Sequence, residues 1–198
     1  TLITVFAITF ALALAVFFVA FAEGVYAGMI DEAVRMNAGH VTLQHPDYLA
    51  APAIDLRVGN VAAWRHRMTS VAGIESTKIL VLGQVVAQSS YGAVGIALAG
   101  IEPQVEARTS PLARRVVTGR FLSPNDLRSA FIGRSLARRL KLDLGDKLVI
   151  TSNDVHGDIV GQLVRVTGIF ATGADEVDGY LVQVPIAFAR QLYGLGED

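Results

Sequence analysis

No cysteine occurs among the 198 residues, which excludes a disulfide scaffold, thiolate metal sites and a cysteine nucleophile. The compartment stays open, because a domain of this size can fold outside the cell without disulfides. Neither sign of charge is in excess: 17 Lys and Arg stand against 18 Asp and Glu, for a net charge of −1. No bulk field therefore points to nucleic acid or to an anionic membrane surface. Also missing are a G-x-x-x-x-G-K-[ST] phosphate loop, a G-x-G-x-x-G turn after a strand, H-E-x-x-H and G-x-S-x-G. The chain is expected to hold no catalytic residues, no cofactor and no metal.

Histidine is sparse, at positions 40, 45, 66 and 156. His40 and His45 fall at odd spacing on what reads as one strand, so they face opposite sides and do not share a metal. Asp154 and Asp158 sit in one turn, and Asp175, Glu176 and Asp178 in another. The first lacks the D-x-[DN]-x-[DN]-G pattern of a calcium loop, and both read as solvated turn residues. Arg134, Arg138, Arg139 and Lys141 make a basic helix face. No aromatic platform accompanies it, so a solvated or partner-facing surface is expected rather than nucleic-acid binding.

What is present is a long apolar run. Leu2 to Ala22 contains no charged residue; it holds thirteen Leu, Ile, Val or Phe, six Ala and two Thr. As a helix it spans about 31 Å, close to the hydrocarbon thickness of a bilayer. The larger apolar residues alone favour insertion by roughly 4–8 kcal/mol. Ala20-Phe21-Ala22 before Glu23 has the form of a signal-peptidase site. Against cleavage, the run is longer than a signal h-region of about 7–15 residues. Helical spacing also continues through Tyr26, Met29, Ile30, Ala33 and Met36 to a stop at Gly39. A transmembrane helix with a projecting stalk is expected over 1–38, with Glu23, Asp31, Glu32 and Arg35 open to solvent. Ala7, Ala11 and Ala15, and separately Ala20, Gly24 and Gly28, form i, i+4 rows that allow close helix packing in a bilayer.

Beyond the stalk, His40 to His45 alternates and reads as a strand, and Asn60 caps a helix carrying Val61, Trp64, Met68 and Val71. Ile79–Gln88 and Ala93–Ala99 read as a hairpin about Ser89-Ser90-Tyr91-Gly92. Pro111 opens a helix through Val117. A short strand at Phe131-Ile132 leads to a helix from Arg134 to Leu140, and strands follow over Lys147–Ser152 and Ile159–Phe170. Ala171 to Asp178 reads as an acidic loop, Tyr180–Val184 as a strand, and Pro185 starts a helix ending near Tyr193. Hairpins mixed with short helices argue for an α+β class. The chain opens on Thr1 rather than Met, and is expected to be a piece of a longer protein.

In this order the features resemble the permease subunits of FtsX/MacB-type ABC transporters, in particular the lipoprotein-releasing (LolC/LolE-like) branch. The resemblance is carried by the first apolar helix with Glu23-Gly24 and Gly39-His40-Val41. It continues in Gly100-Ile101-Glu102-Pro103 with Glu106 and Ser110-Pro111-Leu112, and in Val117-Thr118-Gly119-Arg120-Phe121-Leu122. It ends with Ile132-Gly133 through Leu140, Gly145-Asp146, Val166-Thr167-Gly168-Ile169-Phe170 and Val184-Pro185. The resemblance implies an extracytoplasmic MacB-like periplasmic core domain over 39–198 behind the first of four membrane helices. It also implies two subdomains: 40–109 with 179–193 as an outer unit, and 110–178 inserted in it. It implies a bacterial cytoplasmic (inner) membrane location and a second permease subunit. ATP would be bound by a separate cytoplasmic ABC ATPase subunit, and the cargo would be a lipoprotein or a small exported compound. The bilayer and an envelope chaperone are further expected partners. The alternative is a membrane-tethered scaffold that recruits a cell-envelope partner.

Overall fold

The computed structural model describes residues 2–36, 39–51 and 53–196, with side chains described from 2 to 26 and from 39 onward. The chain divides into two units, Thr1–Val41 and Thr42–Asp198. The first is a single helix, α1 (Leu2–Met36), unbroken across 35 residues. Its stretch Leu2–Tyr26 is long and apolar enough to cross a bilayer. Phe6, Leu12, Phe17 and Phe21 are all exposed, so apolar side chains point outward on every face. A Cβ added at Gly24 would meet nothing within 4 Å. The expected helix end at Asn37 and Ala38 lies outside the described residues, as do the side chains of Met29, Ile30, Asp31, Glu32, Ala33, Arg35 and Met36.

In the second unit, strands β1 (Val81–Ser89) and β2 (Gly92–Ile101) form the expected hairpin. Helix α2 (Val61–Thr69) precedes them, and the side chain of Asn60 caps it by accepting the Ala63 N–H at 3.3 Å. Then come α3 (Pro103–Thr109), β3 (Val116–Gly119), β4 (Ser129–Gly133), α4 (Arg134–Leu140), β5 (Lys147–Asn153) and β6 (Ile159–Phe170). The chain ends with α5 (Asp175–Tyr180), β7 (Leu181–Pro185) and α6 (Ile186–Tyr193).

Six strands close on themselves. The order is β6-β4-β7-β2-β1-β5, and β5 pairs back onto β6 from Lys147↔Arg165 to Asn153↔Ile159. Two contacts are parallel, β2 with β7 and β4 with β6, and the rest of the ring is antiparallel. Closure removes the free edges that would otherwise invite pairing with other chains. The seventh strand, β3, hangs on the C-terminal half of β6. Ladder spacing slips at Ala130/Phe131, where β6 places an extra residue, Thr167, against β4. The bulge shifts the alternation, so Val164 and Val166 before it and Ile169 after it share one core.

Two cores follow from strand alternation. Val85, Ile96, Leu98, Ile132, Ile150 and Val182 point inward and meet Leu136 and Leu140 of α4 and Phe188 and Leu192 of α6. On the opposite face Ala99, Ile101, Phe131 and Phe170 pack with Leu112 and Leu122. There Phe131 meets Phe121 edge-on at 5.1 Å and Phe170 at 5.0 Å.

Several expectations are corrected. Residues 40–45 are not a strand, because no strand among the described residues lies beside them to complete the ladder. Pro111 opens only a 3-10 turn, Pro111–Arg114, before β3. The acidic loop ends in α5, whose entry is held by Asp178 accepting from the Thr172 N–H at 2.8 Å and hydroxyl at 2.7 Å. Both the strands expected in an outer unit (β1, β2, β7) and those expected in the 110–178 insert (β3 to β6) lie in one sheet.

Candidate functional site

Two polar constructions stand out on this frame. The first gathers around Gly100-Ile101-Glu102-Pro103 and Glu106. Strand β2 ends at Ile101, and Pro103 at the first turn of α3 suits a position whose N–H needs no partner. Glu102 and Glu106 then fall one helical turn apart. Glu102 accepts from the Arg65 guanidinium of α2 and from the Ile79 N–H at 3.0 Å. Glu106, 2% exposed, accepts from Lys78 Nζ and from Gln183 Nε2, each at 3.5 Å. A buried carboxylate left alone is costly, and a paired one holds its partners in place. No residue of α2 is buried, and the Arg65–Glu102 pair ties that helix to the start of α3. The spacing of the two glutamates was visible in the sequence; Lys78 and Gln183, from distant segments, were not.

The second construction is a groove of about 280 Å³ between β3 and α4. Arg134, Arg138 and Lys141 line it at i, i+4 and i+7, opposite Thr118, with Asp143 as the one carboxylate. Ala137, Leu142 and Ile169 form its floor. Arg139, expected on the same basic face, does not line the groove; its guanidinium lies beside Gly179. Arg138 is held loosely, 3.6 Å from Asp175 and 2.9 Å from the Ser135 hydroxyl. Lys141 sits 4.9 Å from the Tyr91 ring centroid.

The groove wall is held by the Val117-Thr118-Gly119-Arg120-Phe121-Leu122 segment. Gly119 has φ +78°, and a Cβ there would overlap the Thr167 carbonyl oxygen, so only glycine lets β3 approach β6 this closely. Arg120 then forks onto both oxygens of Asp126 at 2.8 Å, and Asp126 also accepts the Ser123 N–H at 2.8 Å. The bond from Arg120 holds the Asp126 carboxyl below the usual carboxylate range, and the same contact raises the guanidinium above its ordinary value.

The remaining titratable residues do other work. Asp154 accepts the N–H groups of His156 at 2.8 Å and Asp158 at 3.0 Å, closing the β5–β6 turn. Asp175 accepts the Ser135 hydroxyl at 2.6 Å. His45 caps a 3-10 turn, Pro46–Leu49, by accepting the Asp47 N–H at 3.3 Å. His66 lies on α2 and His156 in an exposed turn. Among the described residues no three His, Cys, Asp or Glu gather as a metal would need.

Comparison with known proteins places the barrel. The extracellular domain of the noncanonical ABC-type transporter YknZ from Gram-positive bacteria is similar at TM-score 0.51 and 21% identity, over 66% of this chain and 64% of that one. The periplasmic region of MacB from Actinobacillus actinomycetemcomitans is similar at TM-score 0.50 and 13% identity, over 68% of this chain and 59% of that one. At these identities the likeness is one of fold, and the chain matches less than two thirds of each solved domain. A comparison with curated proteins gave no match. The family described as MacB-like periplasmic core domain matches residues 1–197, nearly the whole sequence. An apolar N-terminal helix followed by a mixed α/β domain of this fold, under a family match of that extent, means that the chain belongs to the MacB-like periplasmic core domain family.

Proposed function

We propose that this chain is the first membrane helix and extracytoplasmic domain of an ABC transporter permease, which works by mechanical transmission and catalyses nothing itself. ATP binding and hydrolysis belong to a separate cytoplasmic ATPase subunit that clamps two permease subunits together. The movement passes through α1 to the outer domain, which expels or hands on a cargo. The lipoprotein-releasing branch is the finer assignment, with a lipoprotein as cargo and the bacterial inner membrane as location.

The observation that carries this reading is the continuity of α1. Its 35 residues extend about 52 Å, against a hydrocarbon core of about 30 Å. The surplus is a rigid rod emerging from the bilayer. An anchor alone needs no such surplus, whereas a relay does.

The test is an insertion of four Gly/Ser residues after Met36 in the complete transporter. Cargo release is expected to fall to background while ATPase assembly and membrane insertion persist. Undiminished release from that variant would refute transmission through the helix.

A further inference from the structure

We infer that the groove between β3 and α4 is a docking site for an extended acidic peptide segment of an extracytoplasmic partner protein. The inference does not depend on whether α1 relays ATP-driven motion.

Three features argue for a linear anionic partner. Arg134, Arg138 and Lys141 present three cations to the groove against the single carboxylate of Asp143. Arg134 and Arg138 stand one helical turn apart, with a rise of about 6 Å, and Lys141 follows at the left-handed C-cap of α4. Alternate residues of an extended chain lie about 6.6 Å apart on one side. A strand with acidic residues at every second position therefore offers carboxylates at nearly the pitch of the Arg134 and Arg138 pair, with Lys141 as a third cation at the helix end. A single phosphate could meet only one or two of them.

The volume agrees. At about 280 Å³ the groove falls at or below the lower end of what encloses a drug-sized molecule. It is large enough for a few side chains of a segment lying across it. Its floor of Ala137, Leu142 and Ile169 is apolar and suits the small apolar residues that alternate with the acids. Thr118 adds a hydroxyl on the opposite wall. Competing partners within the chain are weak: Arg138 and Asp175 are exposed by 67% and 86%, so their 3.6 Å ion pair is readily exchanged. The segment that carries Thr118 continues into Arg120, whose fork onto Asp126 ties it to the following turn.

The experiment uses the full chain in a neutral detergent and follows fluorescence anisotropy of a labelled, N-acetylated (Glu-Val)4 peptide. Saturable binding is expected, weakening at least about tenfold between 50 and 500 mM salt as exposed charges are screened. A (Lys-Val)4 peptide is expected not to bind. A Glu-Glu-Val-Val repeat of equal charge should bind several-fold more weakly, because its carboxylates lose the pitch. The exposed triple variant Arg134→Gln, Arg138→Gln, Lys141→Gln should lower affinity at least about tenfold. Equal binding of the alternating and blocked peptides by the unaltered chain would overturn the proposal, independently of how any variant folds. So would unchanged affinity in the triple variant. Inorganic phosphate or phosphatidylglycerol vesicles displacing the peptide at comparable affinity would assign the groove to a phosphate group instead, and would also overturn it.

Discussion

Helices α1 and α6 are both rich in apolar residues, yet they meet opposite surroundings. In α1 the large side chains from Leu2 to Tyr26 are exposed throughout. In α6 Phe188, Ala189, Leu192 and Tyr193 are buried against the barrel, while Ala187 and Gln191 are exposed and Arg190 is half-buried. The difference lies in how the apolar residues are distributed around the helix. A helix apolar on one stripe can finish a core and leave its other face to water. A helix apolar on all faces has no stripe to prefer and calls for an apolar solvent.

The largest break in that comparison comes from truncating one phenylalanine in each helix. Phe188→Ala should destabilise the barrel unit by about 3–5 kcal/mol, because the side chain leaves a cavity in a packed core. Phe17→Ala should leave the same unfolding transition within about 0.5 kcal/mol. Urea denaturation of both variants in detergent measures the contrast. Equal losses would mean that α1 contributes to the barrel's core.

A smaller effect tests the seat of α6. Tyr193 packs its ring and hydroxyl against Gly83 of β1, where an added Cβ would overlap the hydroxyl. Gly83→Ala should cost about 1–3 kcal/mol through overpacking. Tyr193→Phe in the same chain should recover part of that loss, since it removes the nearest clashing atom while the ring carbon Cζ stays at 2.8 Å from the added Cβ. Failure of the second substitution to recover any stability would show that the strain lies elsewhere on β1.

The smallest effect sharpens the comparison through pH. Burial pushes the Tyr193 phenol up to about 12, with the nearby Ser152 hydroxyl pulling it the other way without a hydrogen bond of good geometry. The unfolded chain ionises this group near 10. Between these values the native state retains a proton that the unfolded state has lost, so the unfolded state is favoured as pH rises. The contribution is whole below about pH 10 and disappears progressively towards about pH 12. Tyr193→Phe should flatten that alkaline limb in denaturation curves taken across the window, and an unchanged slope would assign the limb to other groups.

Much of the barrel's raw material was legible. Strands β1, β2, β5 and β6 announce themselves by alternation between turn residues such as Ser89-Ser90-Tyr91-Gly92 and Gly145-Asp146. The caps at Asn60 and Pro185 place α2 and α6 for similarly local reasons. The failures have two causes. Residues 40–45 alternate like a strand but find no neighbour, whereas α3 and α5, only 7 and 6 residues long, have too few periodic positions to betray a helix. The basic face of α4 was also legible. Its function as one wall of a groove was not, because Thr118 and Ile169 arrive from strands elsewhere in the chain.

The sequence by itself determined that α1 is apolar on every face, the alternation that gives each strand two different faces, and the charge of α4. Each depends on residues within a few turns or pleats of one another. Tertiary structure alone decided that β5 closes onto both β1 and β6, that Glu106 is buried with Lys78 and Gln183, and that the α4 cations face a groove. These outcomes need segments tens of residues apart to meet. Many strand orders satisfy the same alternation, and the chain adopts the one that buries both cores at once.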